Sequence, residues 1–137
     1  MSRIINPESA GKERNYLTRT VVLAVRELAR QREPGAEARD LAAYLALSLR
    51  AVGNTIDVSV AAWEKRGYWV KADRFRMDWA WTGHIAEKMK TAILDEDWGT
   101  VAALAAHAAQ KLGKVNVPMN HRLGKPWAGA WQVLKRE

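Results

Sequence analysis

Apolar residues recur at intervals of three and four along most of this chain, and the rhythm breaks at Pro, Gly and clusters of acids. Leu17, Val21, Ala24 and Leu28, widened by Val22, Val25 and Ala29, make one stripe of a helix. Asn6 as N-cap, Pro7 in the first helical position and Glu8 near the positive dipole end predict its start. Glu33-Pro34-Gly35 stops it, because Pro disfavours helix in the residue before it, so the first helix is expected over residues 7–32. A second helix over residues 36–66 carries Leu41, Leu45, Ser48, Val52, Thr55 or Ile56, Ser59 and Trp63 close to a heptad seam. Gly53-Asn54 near its centre predicts a kink or the close approach of another backbone. Gly67 is its natural stop.

A third helix over residues 68–94 shows two stripes. Phe75, Trp79, Thr82, Ala86, Met89 and Ile93 lie on one face, and Val70, Met77, Trp81, Ile85 and Ala92 on the other. Apolar character on two sides predicts burial on two sides, which points to a subunit interface for the second stripe. Asp95-Glu96-Asp97 then starts a fourth helix that runs through Trp98, Val101, Ala105, Ala108 and Leu112 to Gly113. Residues 114–125 lose the helical period and predict an extended segment laid over the helices, before Pro126 opens a short last helix with Trp127 and Trp131 on one face. The expected fold is all-α: an up-down-up-down four-helix bundle with an extended, partly helical C-terminal segment. It forms one domain over 1–137, with a core at 7–113 and an arm at 114–137.

Composition supports a folded domain, since 48% of the 137 residues are hydrophobic and 27% charged. The lack of cysteine excludes disulfides and thiolate chemistry, and neither an export leader nor a run of about 18 apolar residues is evident, so a cytoplasmic setting without membrane insertion is expected. No glycine-rich phosphate loop or His-Glu-x-x-His occurs, and none of His84, His107 and His121 follows a Glu by three. No metal, cofactor or catalytic residue is therefore expected. His84 and His107, among apolar neighbours, read as partly buried, hydrogen-bonded imidazoles. Asp57 interrupts an apolar stretch and is expected to be buried and paired, with Arg76 or an indole N–H, because a lone buried carboxylate is costly. Trp63 and Trp81 read as structural anchors. A rival reading is an enzyme using Asp57, Asp78 and His84 in the interior.

The formal charge of +7 favours an acidic partner such as RNA or DNA. In the expected topology the start of helix one, the turn between helices two and three and the end of helix four share a pole. Arg3, Lys12, Arg14, Lys65, Arg66, Lys71, Arg74, Lys111 and Lys114 outnumber Glu8, Glu13, Glu64 and Asp73 there, whereas acids prevail at the other pole. Lys65, Arg66, Lys71 and Arg74 are the expected phosphate contacts, joined by Arg122 and Lys125 from the arm, with Tyr68 and Trp69 as exposed rings able to stack bases. The alternative is a scaffold that binds another protein through the third helix.

Residues 62–76, Ala62-Trp63-Glu64-Lys65-Arg66-Gly67-Tyr68-Trp69-Val70-Lys71-Ala72-Asp73-Arg74-Phe75-Arg76, form a basic turn between two long helices. With the four-helix pattern over roughly residues 12–113, this turn resembles a bacterial four-helix-bundle family. Its members include proteins encoded in intervening sequences of large-subunit rRNA genes and the accessory variability proteins of diversity-generating retroelements. The resemblance implies a homo-oligomer, commonly a pentameric barrel, whose basic surface engages nucleic acid or a reverse transcriptase, with no catalytic residues. Seven tryptophans and the arm from Lys114 onward depart from that family's pattern.

Overall fold

A computed structural model describes residues 7–137, so the expectations placed on Asn6 and Arg3 lie outside the described residues. The chain is all-helical, with no strand among the described residues: α1 (Pro7–Ala29), α2 (Ala36–Lys65), α3 (Trp69–Leu94), α4 (Trp98–Lys111) and α5 (Ala130–Lys135).

The partners of α1 and α2 run in opposite order along the two helices. Tyr44 Oη donates to Thr20 Oγ1 at 2.7 Å, while Arg14, nearer the start of α1, reaches Thr55 and Ser59. α3 returns along α2 in the same antiparallel sense, with Glu64 against Arg76 and Gly53 against Thr82. α2 runs unbroken through Gly53, and the nearest neighbour of a Cβ there is the Thr82 Oγ1 side-chain atom at 3.6 Å, so the alternative of a close backbone approach is not met. α1 ends at Ala29, about a turn earlier than expected, with Arg30 and Gln31 N–H bonded to the carbonyls of Glu27 and Leu28.

α4 packs against α3 and α1. Of the three acids expected to start it, Asp97 is the N-cap: its Oδ1 accepts from Thr100 N–H at 3.2 Å and its Oδ2 from the Thr100 hydroxyl at 2.6 Å, which holds the Asp97 carboxyl below the usual carboxylate range. With 14 residues α4 spans about 21 Å, whereas the 26 residues of α3 span about 39 Å. It therefore ends about halfway along α3. Lys111 and Lys114 stop well short of the α2–α3 turn, which corrects their expected place at that pole. The shortness of α4 also accounts for the second stripe on α3: Ile85 and Ala92 are buried, Trp81 is half-buried, and Val70 and Met77 remain exposed. One chain thus buries the half of that stripe nearer α4 and leaves the end at Val70 and Met77 open.

The core divides accordingly. A large cluster around Leu41, Leu45, Leu49, Met89 and Ile93 fills the half that α4 covers, and Ile56, Val60 and Ala72 form a smaller one near the α2–α3 turn. Arm residues complete the large cluster: Val117, Trp127, Ala130 and Leu134 are all buried, with Trp127 only 4% exposed. Arg26 Nη1 donates to the Val117 carbonyl at 2.8 Å, and both Asp40 carboxylate oxygens accept from the arm, from Gly129 N–H at 3.2 Å and Trp131 N–H at 3.0 Å. Asp40 thus caps a helix distant in sequence. Trp127 lies in the turn before α5, not on it as expected, and inserts its ring into the core instead.

Candidate functional site

The turn between α2 and α3 is built by Gly67. Its φ is +81°, its N–H donates to the Glu64 carbonyl at 3.0 Å, and Tyr68 N–H donates to the Trp63 carbonyl at 2.9 Å, a Schellman closure of α2. The chain then enters α3 at once, so Tyr68 and Trp69 are carried at a rigid corner where 55% and 62% of their surfaces are exposed. Lys71, Arg74, Phe75 and Asp78 follow at spacings of three and four, which puts them on one face of α3.

That face and the turn enclose an open cleft of about 640 Å³. Trp63 and Phe75 form apolar walls, edge to face with ring centres 4.8 Å apart, and Tyr68 and Trp69 stand at its rim. Lys71 Nζ lies 4.5 Å from the centre of the Trp63 ring, and Arg74 and Asp78 supply further polar lining. The aromatic series continues inward through Trp79, 6.3 Å from Phe75, to Trp81, which stacks on Trp79 at 6.2 Å and packs on the large core. Trp63 and Trp81 therefore sit at the two ends of one ring ladder.

Charge at the turn is sorted by Arg76. Its Nη2 binds Glu64 at 3.1 Å and its Nη1 binds Asp73 at 2.9 Å, so one guanidinium engages both acids of the turn. Lys65, Arg66, Lys71 and Arg74 form no ion pair with a described residue. The expected pair of Asp57 with Arg76 is corrected here. Asp57 is exposed on the outer face of α2, beside the buried seam of Thr55, Ile56 and Val60, and forms no ion pair with a described residue.

Arg14 is half-buried where α1, α2 and α3 meet. Its Nε donates to Thr55 Oγ1 at 3.2 Å, and its Nη2 to the Thr55 carbonyl at 3.1 Å and Ser59 Oγ at 2.7 Å. Its guanidinium carbon stands 4.9 Å over the Phe75 ring, and burial lowers its pKa. The residue braces the inner side of Phe75, which the sequence did not disclose.

Arg122 and Lys125 are elsewhere. Lys125 Nζ is 3.9 Å from Glu37 Oε1, and Glu37 begins α2 while Lys65 ends it, about 45 Å away along a helix of 30 residues. The expected joint surface of Lys65, Arg66, Lys71 and Arg74 with Arg122 and Lys125 is thus corrected: the arm travels to the opposite end. Its two cations offset the acids there, so the charge contrast between poles is smaller than the sequence implied.

His84 and His107 are exposed, not partly buried as expected, and His121 Nδ1 accepts from Leu123 N–H at 3.1 Å. Asp57 and His84 do share a shallow cleft of about 390 Å³ with Asn54, on the outer side of the α2–α3 pair, but Asp78 belongs to the other cleft. The rival triad is therefore split. Among the described residues no group of three or more His, Cys, Asp or Glu is arranged to hold a metal ion, and no helix is long and apolar enough to cross a membrane. As a wall of the basic cleft Asp78 was missed, although its spacing from Lys71 and Arg74 was the signal. The chain matches no family model, no curated protein and no solved structure.

Proposed function

We propose that this chain is a non-enzymatic module that binds single-stranded nucleic acid at the α2–α3 turn, on the exposed corner of an up-down four-helix bundle whose fourth helix stops short. The observation that carries this reading is the coincidence, in one cleft, of aromatic walls and uncompensated cations. Rings with exposed faces stack unpaired bases whatever their identity, and Lys and Arg beside them neutralise the connecting phosphates. Arg76 favours the same reading, because by engaging Glu64 and Asp73 it leaves Lys65, Arg66, Lys71 and Arg74 for an outside anion. A structured RNA, or the nucleic acid held by a reverse transcriptase, is the partner class that the family resemblance implies for such a surface, and self-association would multiply the contacts.

Fluorescence anisotropy with a labelled single-stranded oligomer tests the reading. Replacing Lys65, Arg66, Lys71 and Arg74 with Gln is expected to flatten the plot of log affinity against log salt by about 3, from about 0.7 per phosphate contact on a single strand. No binding at low salt, or an unchanged slope in the variant, overturns it. One observation favours protein docking as a second reading. Val70 and Met77, the latter 69% exposed, flank Trp69 beside a cleft of about 500 Å³ that Glu64 and Asp73 also line. A salt slope unmoved by the Gln variant would support that alternative.

A further inference from the structure

Asp78 is an anomaly in a cleft that suits phosphate. It lines the same cavity as Lys71 and Arg74, yet it is exposed and makes no ion pair or hydrogen bond with a described residue. Against a phosphate it would repel, and the cations beside it have not been spent on it. A carboxylate is an acceptor only. Its presence therefore suits a ligand that brings hydrogen-bond donors into the cleft along with its negative charge.

Among unpaired bases one edge meets that requirement best. Guanine carries N1–H and the N2 amino group side by side, two donors that match the two oxygens of one carboxylate. Cytosine and adenine each set a ring acceptor next to the amino group, and thymine or uracil flanks its single N–H with two carbonyls, so each of these turns at least one lone pair toward Asp78. Unpaired bases are commonly read on this edge while their faces stack on aromatic side chains. The cavity volume of about 640 Å³ falls within the range of about 300–1,000 Å³ typical of small-ligand sites, which is room for one nucleotide.

We propose that the cleft selects guanine among unpaired bases, with Trp63, Tyr68 and Trp69 holding the base, Lys71 and Arg74 the flanking phosphates, and Asp78 reading N1–H and N2–H. This rests on the nucleic-acid reading above and adds the base to it. Asp78 is then the specificity-determining residue of the cleft.

The test compares a short thymidine oligomer with the same oligomer carrying one central dG, dA, dC or inosine, measured by anisotropy against the wild-type chain, Asp78→Asn and Asp78→Ala. The dG oligomer is expected to bind roughly tenfold more tightly than the others, with inosine, which lacks the N2 amino group, losing most of that gain. Both variants are expected to bring all five oligomers to within about twofold of one another while tightening the thymidine oligomer, since a repulsive charge is gone. Failure of the wild-type chain to bind any oligomer removes the nucleic-acid reading itself. Equal affinity for all five by the wild-type chain leaves that reading standing and overturns guanine selection. An equal gain for every oligomer in the variants, with the dG preference intact, shows that Asp78 merely repels phosphate and also overturns it. Since Asp78 touches no described partner, loss of fold does not obscure the result, and circular dichroism of both variants verifies this.

Discussion

Gly67 holds a φ of +81°, a backbone conformation that costs an L side chain roughly 1 kcal/mol, while space around its Cα is open. Gly67→Ala is therefore expected to destabilise the chain by about 1 kcal/mol through backbone strain alone, read as a lower urea midpoint with an unchanged denaturant slope. Glu96 closes α3 in the same manner, with Glu96 N–H on the Ile93 carbonyl at 3.0 Å and Asp97 N–H on the Ala92 carbonyl at 2.8 Å, but at a φ of 54° and without glycine's freedom. Its carboxylate meets Arg39 at 2.7 Å on the surface, an ion pair that offsets part of that strain. Stops of this kind are legible in a sequence, because Gly67 and the acids of residues 95–97 act on their own neighbours. The choice made by Arg76 is not. Glu64 and Asp73 take its guanidinium, and the rotation of α2 about its axis, with Ile56 and Val60 inward, leaves Asp57 facing water.

At the scale of helices, α2 is the common neighbour of α1, α3 and α5, and its unbroken run through Gly53 is a place where the chain has spare stability. A methyl group there would stand at ordinary van der Waals distance, 3.6 Å, from Thr82 Oγ1. Gly53→Ala is expected to raise stability by about 0.5–1 kcal/mol, the difference in helix propensity, seen as a higher midpoint of thermal unfolding. The stop of α2 at Gly67 and the start of α4 at Asp97 followed from local signals, whereas α1 ends about a turn before Glu33-Pro34-Gly35. The length of α4 was equally present in the sequence, between Asp97 and Gly113, and comparison with α3 alone tells that it reaches only halfway. The path of the arm was hidden for the opposite reason. Its helix is capped by Asp40, about 90 residues earlier, and no local pattern foretells such a partner.

For the whole molecule, the arm fastens α2 to α3 through Glu137, whose carboxylate binds Arg50 and also Lys90 Nζ, the latter at 2.8 Å. Hydrogen bonds from Arg50 and then Lys90 hold its pKa at about 2, below the ordinary value of 4.5. Because the folded value is the lower one, this contribution is complete above about pH 4.5 and is lost as pH falls toward about 2. Protection of the α5 amides, taken as the ratio of intrinsic to observed exchange rate at each pH, is expected to fall over that window, and Glu137→Gln to lower protection at neutral pH toward that of the acidified parent. Equal protection in parent and variant at neutral pH would show that the arm is held by its buried residues and by Arg26 and Asp40 without help from Glu137. The placement of the cationic residues was half-legible for the same reason as the fold. Lys71 and Arg74 line one cleft, and Lys65 and Arg66 stand just before the turn that borders it without lining it, whereas Arg122 and Lys125 are carried away by a segment whose course depends on distant contacts.

The halting of α4 midway has one more effect. Opening a part of a protein costs least where fewest apolar neighbours are given up, and the end of the molecule beyond α4 is held by the small cluster of Ile56, Val60 and Ala72 with a bracing arginine. The cleft and the least tightly fastened end coincide. A strand that closes on Trp63 and Phe75 would supply from outside the packing that a longer fourth helix would have given from within, and occupancy would firm up half the protein.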